Sequence, residues 1–394
     1  MKFNAYGLGL VAIGVPVLLS MAGIPRPREA QPQPGVKLIR TPGGGIQPQI
    51  AVDHDGVIHM IYFKGEDLGG DLYYVRKSPR DIDFSKPIRV NSVPGSAVAT
   101  GSIRGAHIAL GRNGRVHVAW LGSSKALPRG PGNATPMLYT RLNDAGTAFQ
   151  PQRNVMQFAV GLDGGGSVAA DDFGNVYVVW HGNPDRDGEA NRRVWVARSR
   201  DDGKTFAREV LANRDPTGAC GCCGLRAFAD DHGTLYILYR SARQGIHRDM
   251  YLLTSSDRGR TFEERLVSPW ELNACPMTTD FVSQTAANVL IAWQTQQQVY
   301  YATVFGGAHQ LSDAVAAPGP GHDRKYPVAV ANPHGDVLLA WTEGTAWKRG
   351  GSLAWQVYDK QGRPCEAEGS APGVPVWGLV AAFSDSRGDF CIIY

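Results

Sequence analysis

Ser199-Arg200-Asp201-Asp202-Gly203-Lys204-Thr205-Phe206 returns further along the chain as Ser255-Ser256-Asp257-Arg258-Gly259-Arg260-Thr261-Phe262. Both octads read S-x-D-x-G-x-T-F. An Asp in such a turn accepts hydrogen bonds from the backbone N–H groups that follow it, and a Gly permits positive φ. The closing Phe has an apolar ring to pack back onto whatever carries the turn. Each octad therefore reads as a self-contained hairpin turn. Degenerate copies lie at Ser78 to Phe84 and at Asn143 to Phe149.

Each full octad follows an alternating strand, Val194-Trp195-Val196-Ala197-Arg198 in one case and Met250-Tyr251-Leu252-Leu253 in the other. Sister strands are Leu72-Tyr73-Tyr74-Val75-Arg76, Met137-Leu138-Tyr139-Thr140-Arg141 and Val299-Tyr300-Tyr301-Ala302. β-branched and aromatic residues at period two mean strands. Upstream of each lies a pair of apolar strands around a tight turn, as in His107 to Leu110, Asn113-Gly114 and Val116 to Trp120. The second strand of the pair ends at Tyr62, Trp120, Trp180, Tyr239, Trp293 and Trp341, roughly every 50–60 residues, and a seventh copy runs from Leu379 to Tyr394. That spacing suits a four-stranded propeller blade. The expected fold is all-β, a β-propeller of four-stranded antiparallel blades. Six complete modules run from about residue 48 to 370, so seven blades with an incomplete last one are favoured. Val36 to Arg40 would give that blade an outer strand and close the ring. Six blades is the alternative. No amphipathic helix is evident after residue 30, and 48 Gly with 25 Pro suit many tight turns.

The octads resemble the Asp-box, or BNR repeat, of the sialidase superfamily, and the resemblance covers roughly residues 45 to 394. It implies a propeller in which the octads face away from the ligand.

The N-terminus reads as an export signal or anchor over residues 1–24. Lys2 precedes an apolar run from Leu8 to Leu19, and Ser20-Met21-Ala22 has the small residues of a cleavage site. An uncleaved anchor is the other reading, since the apolar stretch is nearly long enough to span a bilayer. A Pro-rich linker occupies 25–35 and the propeller 36–394. The expected setting is extracytoplasmic, periplasmic or secreted, where thiols can oxidise. A net charge of +4 without a Lys/Arg run argues against nucleic acid. Membrane contact is expected only through the N-terminal anchor, and the expected state is a monomer.

In a propeller, strands alternate direction and loops alternate faces. The tight Gly turns and the octads share one face. The long loops (Lys64 to Gly70, Leu121 to Pro136, His181 to Arg192, Arg240 to Arg248, Thr342 to Gly351) share the other with the blade-to-blade connections, and long loops on a rigid scaffold are where function is expected. Two connections there carry cysteines: Cys220-Gly221-Cys222-Cys223-Gly224 before the fourth blade and Ala274-Cys275-Pro276 before the fifth. Three readings of Cys220, Cys222, Cys223 and Cys275 stand. They form disulfides; they hold a copper or zinc ion, with His181, His247 or His322 as further ligands; or they have a redox role, for which no C-x-x-C motif was identified. Cys365 and Cys391 lie elsewhere. Arg226, Arg240, Arg248 and Arg324, with Arg104, His107 and His181, gather at the same mouth. Such a cluster suits an acidic carbohydrate or another small anionic ligand, because guanidinium grips a carboxylate or sulfate with two prongs.

The resemblance further implies three Arg holding a substrate carboxylate, a Tyr nucleophile assisted by Glu, and an Asp acid/base. Carried over, it makes Arg226, Arg240 and Arg324 candidates for the triad, Tyr326 for the nucleophile, Glu343 for its base and Asp67 for the acid/base. No Glu stands at the middle-blade position, and the cysteines are foreign to the pattern. The favoured expectation is therefore a propeller that binds an anionic ligand on its loop-bearing face. An exo-acting sialidase, a periplasmic metal-binding protein and a structural or interaction propeller are the alternatives.

Overall fold

Seven sheets stand around a common axis in a computed structural model that describes residues 1–2, 34–183, 188–306 and 310–394. The expected leader (Lys2 apart) and most of the linker fall outside the described residues. Among those described, no helix is long and apolar enough to cross a membrane, and the helical turns are short 3-10 turns such as Pro42–Gly44.

Blade one comprises Ile46–Val52, Ile58–Lys64, Asp71–Lys77 and Ile88–Arg89; blade two His107–Gly111, Arg115–Leu121, Met137–Arg141 and Arg153–Asn154. Blade three is Gly166–Ala170, Val176–Gly182, Arg193–Ser199 and Val210–Leu211, and blade four Arg226–Ala229, Leu235–Arg240, Met250–Ser255 and Glu263–Ser268. Blade five runs Phe281–Gln284, Val289–Thr295, Gln298–Phe305 and Gln310–Leu311, with Val315–Ala316 beside its third strand. Blade six is Arg324–Ala331, Val337–Glu343, Gly351–Tyr358 and Pro364–Val374. Blade seven has only Ala381–Ser384 and Phe390–Ile393 from the end of the chain, and Val36–Ile39 completes it. That strand pairs parallel to Phe390–Ile393, Val36 opposite Phe390 and Ile39 opposite Ile393. The inner strand of every blade touches the next, and blade seven touches both six and one, so the ring is closed.

Packing explains why the second strands read as unbroken apolar runs. Each is sandwiched between two neighbours, and alternate side chains feed alternate gaps. Val178 and Trp180 point into the gap towards blade two, with Ala119 and Tyr139; Tyr177 and Val179 point towards Ala227 and Ile237 of blade four. Each of the seven gaps holds its own hydrophobic cluster. Trp120, Trp180 and Trp293 are almost fully buried in these gaps, where truncation of such a ring costs about 3–5 kcal/mol.

The octads close as their chemistry requires. Asp201 Oδ1 accepts from Thr205 N (2.9 Å) and Ser199 Oγ (2.7 Å), and Gly203 sits at φ 72°. Asp257 does the same with Thr261 N and Ser255 Oγ. Burial works against both carboxylates, but these hydrogen bonds outweigh it and hold each at about 2. Each octad also latches to the preceding blade: Arg141 Nη1 donates to Asp202 O (2.6 Å), and Arg198 Nη1 to Arg258 O (2.7 Å). Asp202 further binds Arg115 Nε (2.6 Å) and Arg141 Nη1 (2.9 Å), with fully buried His117 at 3.5 Å.

Candidate functional site

The axis is open at one end and stoppered at the other. A cavity of about 420 Å3 opens among the tight inner turns, rimmed by Asp53, Asp171, Asp172, Asp230, Asp231 and Ser384. On the loop-bearing side it narrows to about 20 Å3 among Gln49, His107, Arg226, Asp280 and Tyr326. Arg226 is the stopper. It crosses the axis from blade four, donates to Gln49 Oε1 of blade one at 2.6 Å and lies over the Phe281 ring. Burial holds its guanidinium down at about 10, and burial pushes the neighbouring Asp280 carboxyl well above its ordinary range.

The other arginines expected to hold an anion have protein partners as well. Arg240 lies over Trp270 and donates to the carbonyls of Arg248 and Gln294. Arg248 pairs with Glu189 at 2.6 Å. Arg324 lies over Trp341 and binds Glu343 (3.1 Å), Gln298 (2.8 Å) and the Pro318 carbonyl (2.9 Å). Each of these arginines is thus tied to a partner in the protein, although Arg240 Nε and Arg248 Nε and Nη1 have none, and the four do not form an open triad.

Tyr326 is buried beside the stopper at φ 54°, where the inner strand of blade six bulges between Lys325 and Val328. Burial pushes its hydroxyl up to about 12, and the groups acting on it are Ser102 and the Cys223 and Cys222 thiols. No carboxylate is among them. Glu343 is taken by Arg324 and the Trp341 N–H, and Asp67 Oδ2 accepts from Trp377 Nε1 at 2.9 Å. Glu343 and Asp67 are thus engaged elsewhere, and the carboxylate that shares the Tyr326 pocket is Asp280, which burial holds well above its ordinary range.

Cysteines do converge, but three rather than four. Cys220 N is tied to Arg240 O (2.9 Å) and Gly224 N to Thr278 O (3.0 Å), which folds the segment over the blade four–five junction. There Cys220 Sγ lies 3.3 Å from both Cys222 Sγ and Cys223 Sγ, and the three sulfurs all fall within 4.8 Å of one another. The Arg192 guanidinium and the Asp163 carboxylate lie close over Gly221, and a side chain there would have to displace them. Cys275 is exposed and outside the group; the Thr278 backbone, three residues on, is what reaches the cluster. All six cysteines are free thiols. Cys220 and Cys223 stand in C-x-x-C spacing, contrary to the sequence reading.

The trio titrates as a unit. Cys223 ionises first: burial opposes this, but the Cys220 and Cys222 S–H groups and the Arg240 charge prevail. Cys222 is pushed up by its two thiol neighbours. His181 is buried alongside, its Nε2 3.4 Å from Cys223 O, and burial keeps it neutral. It is not within ligand distance of all three sulfurs. His247 faces Glu271 at 3.6 Å, and His322 is exposed.

One surface feature escaped the sequence reading. Trp347 is 53% exposed on the Thr342 to Gly351 loop, its ring 4.8 Å from that of Trp377 and edge-on to it. Trp377 is buried and pinned by Asp67. Lys348 and Arg349, next in the chain, are exposed. The sequence signal was there, an aromatic residue in the middle of a long loop beside two cations.

No protein-family model matches the sequence, and no curated protein matches it. Solved structures do. The intramolecular trans-sialidase of Ruminococcus gnavus superposes over 81% of this chain and 95% of its own, at TM-score 0.52 and 10% identity. The leech intramolecular trans-sialidase covers 81% and 68%, at TM-score 0.52 and 11% identity. A protein of unknown function from Dyadobacter fermentans covers 79% and 94%, at TM-score 0.52 and 14% identity. The chain has the fold of the sialidase-type propellers.

Proposed function

We propose that the protein is an extracytoplasmic carbohydrate-binding propeller that takes an acidic glycan on its loop-bearing face, against Trp347. One observation carries the reading: a half-exposed indole, braced edge-on by Trp377 and followed by two exposed cations, on the face that bears the long loops. A flat indole offers an apolar plane to the C–H side of a pyranose, and its cost in side-chain freedom is already met by the bracing ring. Arg349 and Lys348 match a sugar carboxylate or sulfate. Arg349 is oriented by its Nε, which donates to the Gly344 carbonyl at 2.7 Å, while its Nη2 makes only a 3.7 Å ion pair with an exposed Asp323 carboxylate, so an anion would have that long pair to displace. The leech and Ruminococcus neighbours were solved with 2,7-anhydro-Neu5Ac and oseltamivir carboxylate respectively, in keeping with a carboxylated sugar. The apolar run behind Lys2 supports the extracytoplasmic setting. Hydrolysis is the weaker reading, since Glu343 and Asp67 are each engaged by other side chains rather than by Tyr326.

Calorimetric titration with sialyllactose, a uronate oligosaccharide and a sulfated one, each against neutral lactose, tests this. Binding of an acidic member is expected, weakened at least about tenfold by Trp347→Ala, in line with the loss of a central aromatic contact. Absence of binding by all three, or equal binding by the variant, would sink the reading. Turnover of a fluorogenic sialoside that disappears in Tyr326→Phe would replace it with the hydrolase.

A further inference from the structure

We propose that Cys220, Cys222 and Cys223 form a three-coordinate site for a soft, thiophilic monovalent cation, Cu(I). The site lies at the blade four–five junction, apart from the glycan reading, and does not depend on it.

Geometry is the first support. Two sulfur–sulfur distances are 3.3 Å and the third is no more than 4.8 Å, so a point equidistant from the three sulfurs lies roughly 1.9–2.4 Å from each. Metal–thiolate bonds of about 2.3 Å fall inside that interval. A disulfide needs about 2.05 Å between its sulfurs; both Cys220 pairs, at 3.3 Å, are too far apart for that, and all three cysteines are free thiols. The backbone also holds the triangle in place: Cys220 N and Gly224 N are both hydrogen-bonded to neighbouring blades, and Gly221 N donates to Glu189 Oε2 at 3.1 Å.

The surrounding charge is the second support and is independent of the first. Arg248 is 3% exposed, and its Nε and Nη1 have no hydrogen-bond partner in the protein. Only its Nη2 is used, on Glu189. A buried guanidinium with idle donors costs free energy unless an anion faces it, and the groups whose charge it senses besides Glu189 are Cys220 and Cys222. Half-buried Lys325 lies within electrostatic reach of Cys223 and Cys222, and Arg240 within reach of Cys223. Three sulfur anions around one monovalent cation carry two net negative charges. Arg240, Arg248 and Lys325 are placed to compensate that excess.

Ligand chemistry selects the ion. The donor set is all sulfur, with no imidazole or carboxylate among the described residues within ligand distance of all three. Structural zinc is almost always four-coordinate, and among the described residues no fourth Cys, His, Asp or Glu ligand atom joins the group. Thiolate-only, three-coordinate sites suit Cu(I). Binding is not a redox step: Cu(I) enters as Cu(I), three Cu–S bonds form, and the S–H protons still on the sulfurs leave to solvent.

The test is anaerobic titration of the reduced full-length protein with Cu(I) against bathocuproine disulfonate. One Cu(I) per chain is expected to be retained. Cys222→Ser should weaken retention at least about a hundredfold, and Cys275→Ser, which alters the exposed thiol outside the triangle, should leave it unchanged. X-ray absorption of the loaded wild type, which does not depend on any variant folding, should give three sulfurs at about 2.2–2.3 Å. Equal retention by Cys222→Ser, fewer than three sulfurs around the ion, or tighter binding of Zn(II) than of Cu(I) would each overturn the assignment.

Discussion

Asp202→Ala is expected to be among the most damaging substitutions at any exposed-looking turn of this protein. Asp202 occupies a variable position of its octad, yet its carboxylate is 14% exposed and lies against Arg115 Nε and Arg141 Nη1, with His117 at 3.5 Å. Burial works against the charge, but His117, Arg115 and Arg141 prevail and hold the carboxyl below its ordinary range. Removing it leaves buried Arg141 without a carboxylate partner and Arg115 with only the exposed Asp144. Breaking a buried pair in this way costs about 3–5 kcal/mol. For a chain of this size that corresponds to a fall in melting temperature of roughly 4–7 °C. Asp144 supplies the contrast. It also touches Arg115 but is 87% exposed, so Asp144→Ala should cost less than about 1 kcal/mol. Thermal and urea melts of the two variants beside wild type measure the difference. Equal losses, or a loss below about 1 kcal/mol for Asp202→Ala, would refute the claim that this octad is clamped to blade two by a buried charge network.

Acid should loosen the octads. Asp201 and Asp257 titrate at about 2 in the fold and near 3.9 when unfolded, so their contribution is complete above about pH 4 and is lost as pH falls towards 2. Both are half-buried, and solvent screening keeps the effect to about 1 kcal/mol or less per turn. The stability gap between wild type and Asp257→Asn in urea melts should therefore shrink between pH 5 and pH 2.5; a constant gap would contradict the assignment. Phe390, fully buried in the last blade, should cost about 3–5 kcal/mol on replacement by Ala, read from the urea midpoint, and a cost under about 1 kcal/mol would mean that the closing blade contributes little.

The parts of this fold that could be read from sequence are those encoded locally. Alternation in Val194 to Arg198, a Gly after the Asp of each octad and the recurring Trp or Tyr at strand ends all act within a few residues, and they yielded the blades and the closing strand near Val36. The site was less legible because its partners are remote. Arg226 was read as a ligand-facing cation, but its acceptor, Gln49, lies 177 residues away across the axis, and no local pattern announces that. The convergence of the fourth and fifth connections was read correctly as topology; which side chain turned inward was not, since a Pro after Cys275 does not say that the Thr278 carbonyl takes the inward place. Tyr326 shows the same limit. It precedes Pro327 and adopts positive φ at a bulge, a conformation that propensity argues against and that only the crowded stopper around it imposes.

Because Val36–Ile39 is paired with Phe390–Ile393, the circle cannot be sealed before residues 390–393 have been made. Until residues 390–393 exist, the nascent protein is an arc with a bare sheet at each end and one stray strand without a partner. The last event of folding is then a meeting of remote segments rather than a local turn, and loop-closure entropy makes such meetings slow. A chain that delays its final shape in this way keeps two bare sheet edges open to wrong partners for longer.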